Sequence, residues 1–197
     1  KEWELREKSQ KDSLTGLLNN STIKQQIGAR LQSLKRGQTG YLVVQDVDSF
    51  KKINDTNGHL FGDAVLCSFA DELSNIFPEA LKGRIGGDEF VFYVEDMDRE
   101  QLEEKLKQLN RCMSDRYDDD KTGLHISCSL GAAVTDGTVT DYNLLFQWAD
   151  AALYQVKSKG KGAYYLLDVK EGVALPGKSY LDSEENRERE NRDSSQS

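Results

Sequence analysis

Arg84-Ile85-Gly86-Gly87-Asp88-Glu89-Phe90 sets a charged turn between two apolar runs, and the rest of the chain is read outward from it. Ala80-Leu81 stands before the turn and Val91-Phe92-Tyr93-Val94 after it, so residues 81–95 read as a β-hairpin. The glycine pair tolerates positive φ and lets a bulky ligand approach the backbone. Asp88 and Glu89 are adjacent at the tip, where they repel each other unless a cation binds beside them. A plain solvated turn is made more simply by Asn-Gly, so the acidic pair reads as functional, with a solvated acidic turn as the alternative.

Upstream, Tyr41-Leu42-Val43-Val44 runs into Gln45-Asp46-Val47-Asp48. A nearly continuous apolar run fits a central strand buried on both faces, with its carboxylates emerging at the C-terminal end. Phe50 to Gly58 reads as a short helix closed by a turn at Asn57-Gly58. A long amphipathic helix follows through Phe61, Val65, Leu66, Phe69, Leu73, Ile76 and Phe77, and Pro78 ends it. Before the strand, Ile23, Ile27, Leu31 and Leu34 mark a helix capped near Ser21 and stopped at Gly37. After the hairpin, Asp98 with Gln101 forms a capping box for a helix carrying Leu102, Leu106 and Leu109 inward. A polar loop at Tyr117–Lys121, a strand from Leu124 to Val134, a helix from Leu144 to Lys159 and a strand from Ala163 to Val169 complete the pattern. After the first helix the order is β-α-α-β-β-α-β-α-β, an α/β fold with a mixed central sheet flanked by helices.

The 197 residues suffice for one domain with a core, and 37% hydrophobic against 30% charged suits a soluble globular chain. No apolar run approaches the roughly 20 residues of a membrane span, and no signal-peptide pattern opens the sequence. This gives the expectation of a cytoplasmic piece with no direct membrane contact. Because it begins at Lys1, it reads as part of a longer protein that an upstream region could anchor in a membrane. Cys67, Cys112 and Cys128 are odd in number and form no C-x-x-C pair, which points to a reducing compartment rather than a disulfide or zinc framework. A net charge of −8 argues against nucleic acid held by bulk electrostatics. Residues 1–11 read as the end of a helix entering from upstream, 12–169 as the domain, and 170–197 as a charged, disordered tail.

Strand-end and hairpin carboxylates gathered on one sheet make a hard-oxygen site for a small divalent cation, which favours one or two carboxylates plus phosphate oxygens. Lys157 and Lys161, at i and i+4 near a helix end, suit the remaining phosphate charge. Beside them stand Ser129-Leu130-Gly131 and five longer strings in order. These are D-x-L-T-G-L-x-N from Asp12, D-x-D-x-F-K-x-I-N-D from Asp46, G-H-x-x-G-D from Gly58, R-x-G-G-D-E-F from Arg84 and A-D-x-A-L-Y-x-x-K from Ala149.

Across residues 12–167 these strings resemble the GGDEF family, the diguanylate cyclases that join two GTP molecules into cyclic di-GMP. The resemblance implies a palm-like fold related to nucleotidyl cyclases and polymerases. It implies Mg²⁺ or Mn²⁺, two ions per site, held by Asp46, Asp88 and the Val47 carbonyl. Glu89 would assist the metal or help deprotonate the attacking 3′-hydroxyl. Asn54 and Asp63 would read the guanine edge, with Phe50 and His59 at the same pocket, although the first task of His59 is to orient the turn at Gly58. Lys51, Lys157 and Lys161 would hold phosphates, Lys51 at the reacting centre, while Gly86 and Gly87 let the nucleotide lie on the backbone. The implied partners are GTP and a second copy of the domain in a transient homodimer with facing active sites.

Asp48 and Asp55 read as caps or turn formers, and His125 and the cysteines as strand or core residues. Trp148 reads as core. Asn20 and Gln45 depart from the family's usual arginine and apolar residue. The family's product-inhibition motif, R-x-x-D, is replaced by Phe77-Pro78-Glu79-Ala80. A GTP-binding regulatory module without turnover is the alternative function, and a plain dimerisation domain a third.

Overall fold

The structure, a computed structural model, describes residues 10–175. Most of the segments read as an upstream helix end (1–11) and a tail (170–197) lie outside the described residues. Among the described residues ten elements follow one another: α1 (Asn20–Ser33), β1 (Gly40–Val47), α2 (Phe50–Asn57), α3 (His59–Ile76), β2 (Leu81–Arg84), β3 (Glu89–Glu95), α4 (Arg99–Tyr117), β4 (Cys128–Thr135), α5 (Tyr142–Ser158) and β5 (Tyr164–Asp168). The strands form one sheet in the order β2-β3-β1-β4-β5. β1 is antiparallel to both neighbours, β2 is antiparallel to β3, and β4 with β5 is the parallel pair. The sheet is therefore mixed, and its middle strand is the one whose apolar run the sequence displays.

All eight residues of β1 are buried, because helices cover both faces. Tyr41, Val43 and Val47 enter one core with Phe69, Leu73 and Leu106, beneath α3 and α4. Leu42 and Val44 point the other way, into a core with Ile23, Ile27, Leu31, Trp148 and Leu153 from α1 and α5. Alternation thus sends Asp46 to the α1/α5 side and Gln45 to the α3/α4 side. Gln45 is wholly buried there, with its side chain beside the Cys128 thiol. No helix among the described residues is long and apolar enough to cross a membrane.

Two helices sit on the sheet where a side chain is missing. A Cβ at Gly131 would lie 2.2 Å from both the Ala149 carbonyl oxygen and the Leu153 amide nitrogen, so α5 rests backbone to backbone on β4. A Cβ at Gly83 would lie 2.6 Å from Ile23 Cβ, which seats α1 on β2 in the same manner.

Several boundaries differ from the sequence reading. Asn19, not Ser21, caps α1, its side chain accepting from the Thr22 amide at 3.0 Å. Ser21 has the hydroxyl a cap needs, but it donates that hydroxyl to Asn19 at 3.1 Å. β4 starts at Cys128 because Asp118 and Asp119 capture the preceding backbone: Asp118 Oδ1 accepts from the Ile126 amide, and Asp119 forms an isolated bridge with Leu124. His125 is consequently neither strand nor core but exposed, its Nδ1 3.3 Å from Asp118 Oδ2. All three cysteines are free, Cys128 buried and the other two half-buried. Leu175, within the segment read as tail, packs against the α1/α5 core.

The Gly131 seat yields a stability prediction. Neither of the atoms a Cβ would meet can rotate away, so Gly131→Ala should destabilise the domain by about 2 kcal/mol, the usual cost of overpacking. Urea unfolding of the two proteins measures it, and a difference under about 0.5 kcal/mol, the scatter expected of a surface substitution, would mean that α5 slides freely on the sheet.

Candidate active site

The sequence-marked side chains collect at one end of the sheet, where β1 ends, β3 begins and α5 delivers its C-terminus. Register places Asp46 opposite Glu89 on one side and opposite Ser129 on the other. Opposed residues in adjacent strands present their side chains on the same face, so the two carboxylates are neighbours. The Val47 amide donates to the Asp88 carbonyl at 3.3 Å, which ties the hairpin tip to the strand end. From above, Lys157 on α5 forms an ion pair and hydrogen bond with Asp46 Oδ2.

The electrostatics follow from this crowding. The Asp46 carboxyl is pushed up to about 6, chiefly by burial; Lys157 pulls the other way, and the charges of Asp88 and Asp48 add to the rise. Glu89 is also raised, first by burial and then by Asp88 and Asp150, against Lys157. Burial works against the Lys157 ammonium, but Asp46, Asp88 and Glu89 outweigh it and its pKa rises. Asp150, on the first-named turn of the A-D-x-A-L-Y string, is thus part of the field at this site, although the sequence reading gave it no role.

The residues fit a small hard cation. Asp46 Oδ1 is buried with no hydrogen-bond partner, an oxygen that a cation would satisfy. Among the described residues no three acidic, histidine or cysteine side chains converge on one point. One or two carboxylates, with the remaining positions left to phosphate oxygens, is the mode that Mg²⁺ favours.

A second group forms a notch beside α2 and α3. Asn54 lies across Gly62 so closely that a Cβ there would fall 1.8 Å from Asn54 Oδ1 and 3.2 Å from the Phe50 ring. Asn54 Oδ1 is buried without a partner. Asp63 is the next residue of α3, half-buried, and His59 opens the same helix, exposed. Gly62 stands in the G-H-x-x-G-D string without a role of its own in the sequence reading, and the structure shows it making room for Asn54. Lys51 is exposed on the first turn of α2. Lys161 donates to Ser49 Oγ at 3.1 Å, three residues beyond Asp46 in the chain.

The hairpin is held from outside. Arg84 donates to the carbonyls of Gly86 and Gly87 at 2.7–3.1 Å and to both Asp12 oxygens at 3.2 Å. Asp12 also accepts from the amide and hydroxyl of Thr15, and although burial works against its charge, these bonds and Arg84 hold its carboxyl below the usual range. With its tip pinned through carbonyls, the turn needs no left-handed residue: neither Gly86 nor Gly87 has positive φ. Space beside Gly87 is open, since a Cβ there would meet nothing within 4 Å. Neither Asp48 nor Asp55 caps a helix: Asp55 lies exposed within α2, and Asp48 is buried and holds the Gly162 amide of the turn after α5.

Comparison with known proteins gives the family. Residues 9–163 match the family described as "Diguanylate cyclase, GGDEF domain". The chain is 35% identical over 159 residues to the diguanylate cyclase DgcS of Shewanella oneidensis, covering 79% of this chain and 52% of that protein. It is 30% identical over 164 residues to the probable diguanylate cyclase DgcT of Escherichia coli K12, covering 81% of this chain and 36% of that protein. It thus spans between about a third and a half of these relatives. The solved coiled coil and GGDEF domain of DgcB from Caulobacter crescentus, in complex with c-di-GMP, superposes with a TM-score of 0.77 at 25% identity, covering 84% of this chain and 89% of that one. The chain belongs to the diguanylate cyclase GGDEF-domain family.

Proposed function

We propose that this domain condenses two GTP molecules into cyclic di-GMP and two pyrophosphates, one GTP per domain of a homodimer. The observation that carries the reading is the facing pair Asp46 and Glu89 with Lys157 upon it, at the same sheet end as the Asn54–Gly62 notch. Asp46, Asp88 and the Val47 carbonyl would hold the divalent ions, two per site, with Glu89 assisting. A bound Mg²⁺ or Mn²⁺ supplies positive charge that polarises the α-phosphate and acidifies the 3′-hydroxyl. Lys51, Lys157 and Lys161 balance the triphosphate, and Gly87 leaves room for it along the backbone. Asn54 and Asp63 take the guanine edge, a carboxylate accepting from the ring N–H and the exocyclic amine together. Each 3′-oxygen attacks the α-phosphorus of the facing nucleotide and pyrophosphate leaves, so two domains must meet for both bonds to form.

Asp46→Ala or Glu89→Ala should abolish cyclic di-GMP formation while the fold persists, because both side chains stand at element ends. Mass spectrometry of product from GTP and Mg²⁺, at a concentration where the parent dimerises, tests this. Near-normal turnover in either variant sinks the metal-site assignment, and a parent that binds GTP without product favours the regulatory-module reading.

Base choice gives a second prediction. Asp63→Ser removes the acceptor for guanine's donors, so the preference for GTP over ATP should fall about 100-fold, the upper range for losing hydrogen bonds to a charged group. An unchanged ratio in competition binding places guanine recognition elsewhere.

The third concerns feedback. Phe77 is buried with its ring 4.9 Å from that of Phe92, and it offers no fork for a phosphate or guanine. Lys82 instead donates to the carbonyls of Phe77, Pro78 and Ala80, satisfying the backbone at this corner. Cyclic di-GMP should therefore inhibit only by competition at the active site. Calorimetry and initial rates with added product decide it, and tight binding with noncompetitive inhibition overturns the expectation.

A further inference from the structure

Asp48 is a buried carboxylate, 8% exposed, that the proposed chemistry leaves unused. Its oxygens are already taken. Oδ1 accepts from Ser129 Oγ at 2.7 Å, and Oδ2 accepts from Ser127 Oγ at 2.6 Å and from the Gly162 amide at 3.0 Å. Ser129 Oγ accepts from the same Gly162 amide at 3.1 Å, which closes the network. A carboxylate with three donors on it is a poor candidate for a metal ligand and a good one for a brace.

What it braces is the turn after α5. Gly160, Lys161 and Gly162 all have positive φ, at 121°, 68° and 63°. Lys161 is not glycine, and its backbone persists in that region only if its surroundings hold it there. Its amide donates to the Val156 carbonyl at 3.1 Å, and the following amide is the one Asp48 holds. Its ammonium reaches Ser49, the residue after Asp48, which is itself left-handed at φ 55°. The lysine is thus fixed from both sides of one carboxylate.

We propose that Asp48 is a positioning residue for the triphosphate: it sets the Gly160–Gly162 turn, and with it the Lys161 ammonium, against the end of β1. The inference rests on the GTP reading above. It predicts a loss confined to the terminal phosphates, because the Asn54–Gly62 notch lies on other elements.

The test compares GTP and GMP binding, with Mg²⁺, for the unsubstituted chain, Asp48→Asn and Ser129→Ala. GTP affinity should fall about tenfold or more in Asp48→Asn, the loss of a hydrogen bond to a charged group, and less in Ser129→Ala, while GMP affinity stays within about twofold in both. Hydrogen exchange at the Gly162 amide should quicken in each variant. Should Asp48→Asn fail to fold, Ser129→Ala decides alone. Equal losses for both nucleotides, or GTP binding and Gly162 exchange both unchanged, overturn the inference and leave the GTP reading standing. An unsubstituted chain that binds neither nucleotide overturns both.

Discussion

The arrangement depends on one constraint: a charged group at the end of a strand buried on both faces. Asp46 is 6% exposed and has Glu89 opposite it and Asp88 nearby, so like charges are gathered where water is scarce. Such a cluster persists only if positive charge is brought to it, and Lys157 is the side chain in contact. α5 is seated at Gly131, the fourth residue of β4, and that backbone contact sets where the helix brings the lysine. Fold and site are therefore coupled through a glycine that touches nothing chemical.

The hairpin obeys the same logic from the other side. Arg84 gathers the Gly86 and Gly87 carbonyls and holds Asp12, while the Asp88 carbonyl turns the other way to the Val47 amide. A turn held through its carbonyl groups can keep two adjacent acids at its tip without relying on glycine's left-handed freedom. The space beside Gly87 is open.

How much of this was legible in the sequence depends on whether the cause was local. The central strand, the two-helix crossover, the hairpin and the Asp98 capping box are periodicities or short spacings, and the structure has them in the order read. The acids at strand and hairpin ends were legible because their chemistry makes no sense as packing. Asp48 was not, since its partners lie 79, 81 and 114 residues away and nothing near it in the chain announces them. Gly62 and Gly131 stood in the quoted strings without a role, because a missing side chain leaves no signal until the neighbour that needs the space is known. The start of β4 was misjudged because Leu124 and Ile126 alternate like a strand, while Asp118 and Asp119 claim their backbone groups first.

The segment that carries Asp12 also runs beside β2. The Leu18 amide donates to the Lys82 carbonyl and the Arg84 amide to the Leu18 carbonyl, so Leu18 pairs with Gly83 along the free side of that strand. An outermost strand with unpaired amides is a template for other chains, and here one such margin is covered by the protein's own entry segment. Among the described residues the sheet's opposite margin is β5, where Asp168 meets Arg99 at 2.9 Å and Tyr165 stands 42% exposed. Resistance to strand-by-strand aggregation is thus unequal at the two margins, and truncating the residues around Leu18 would expose the one that is now sealed.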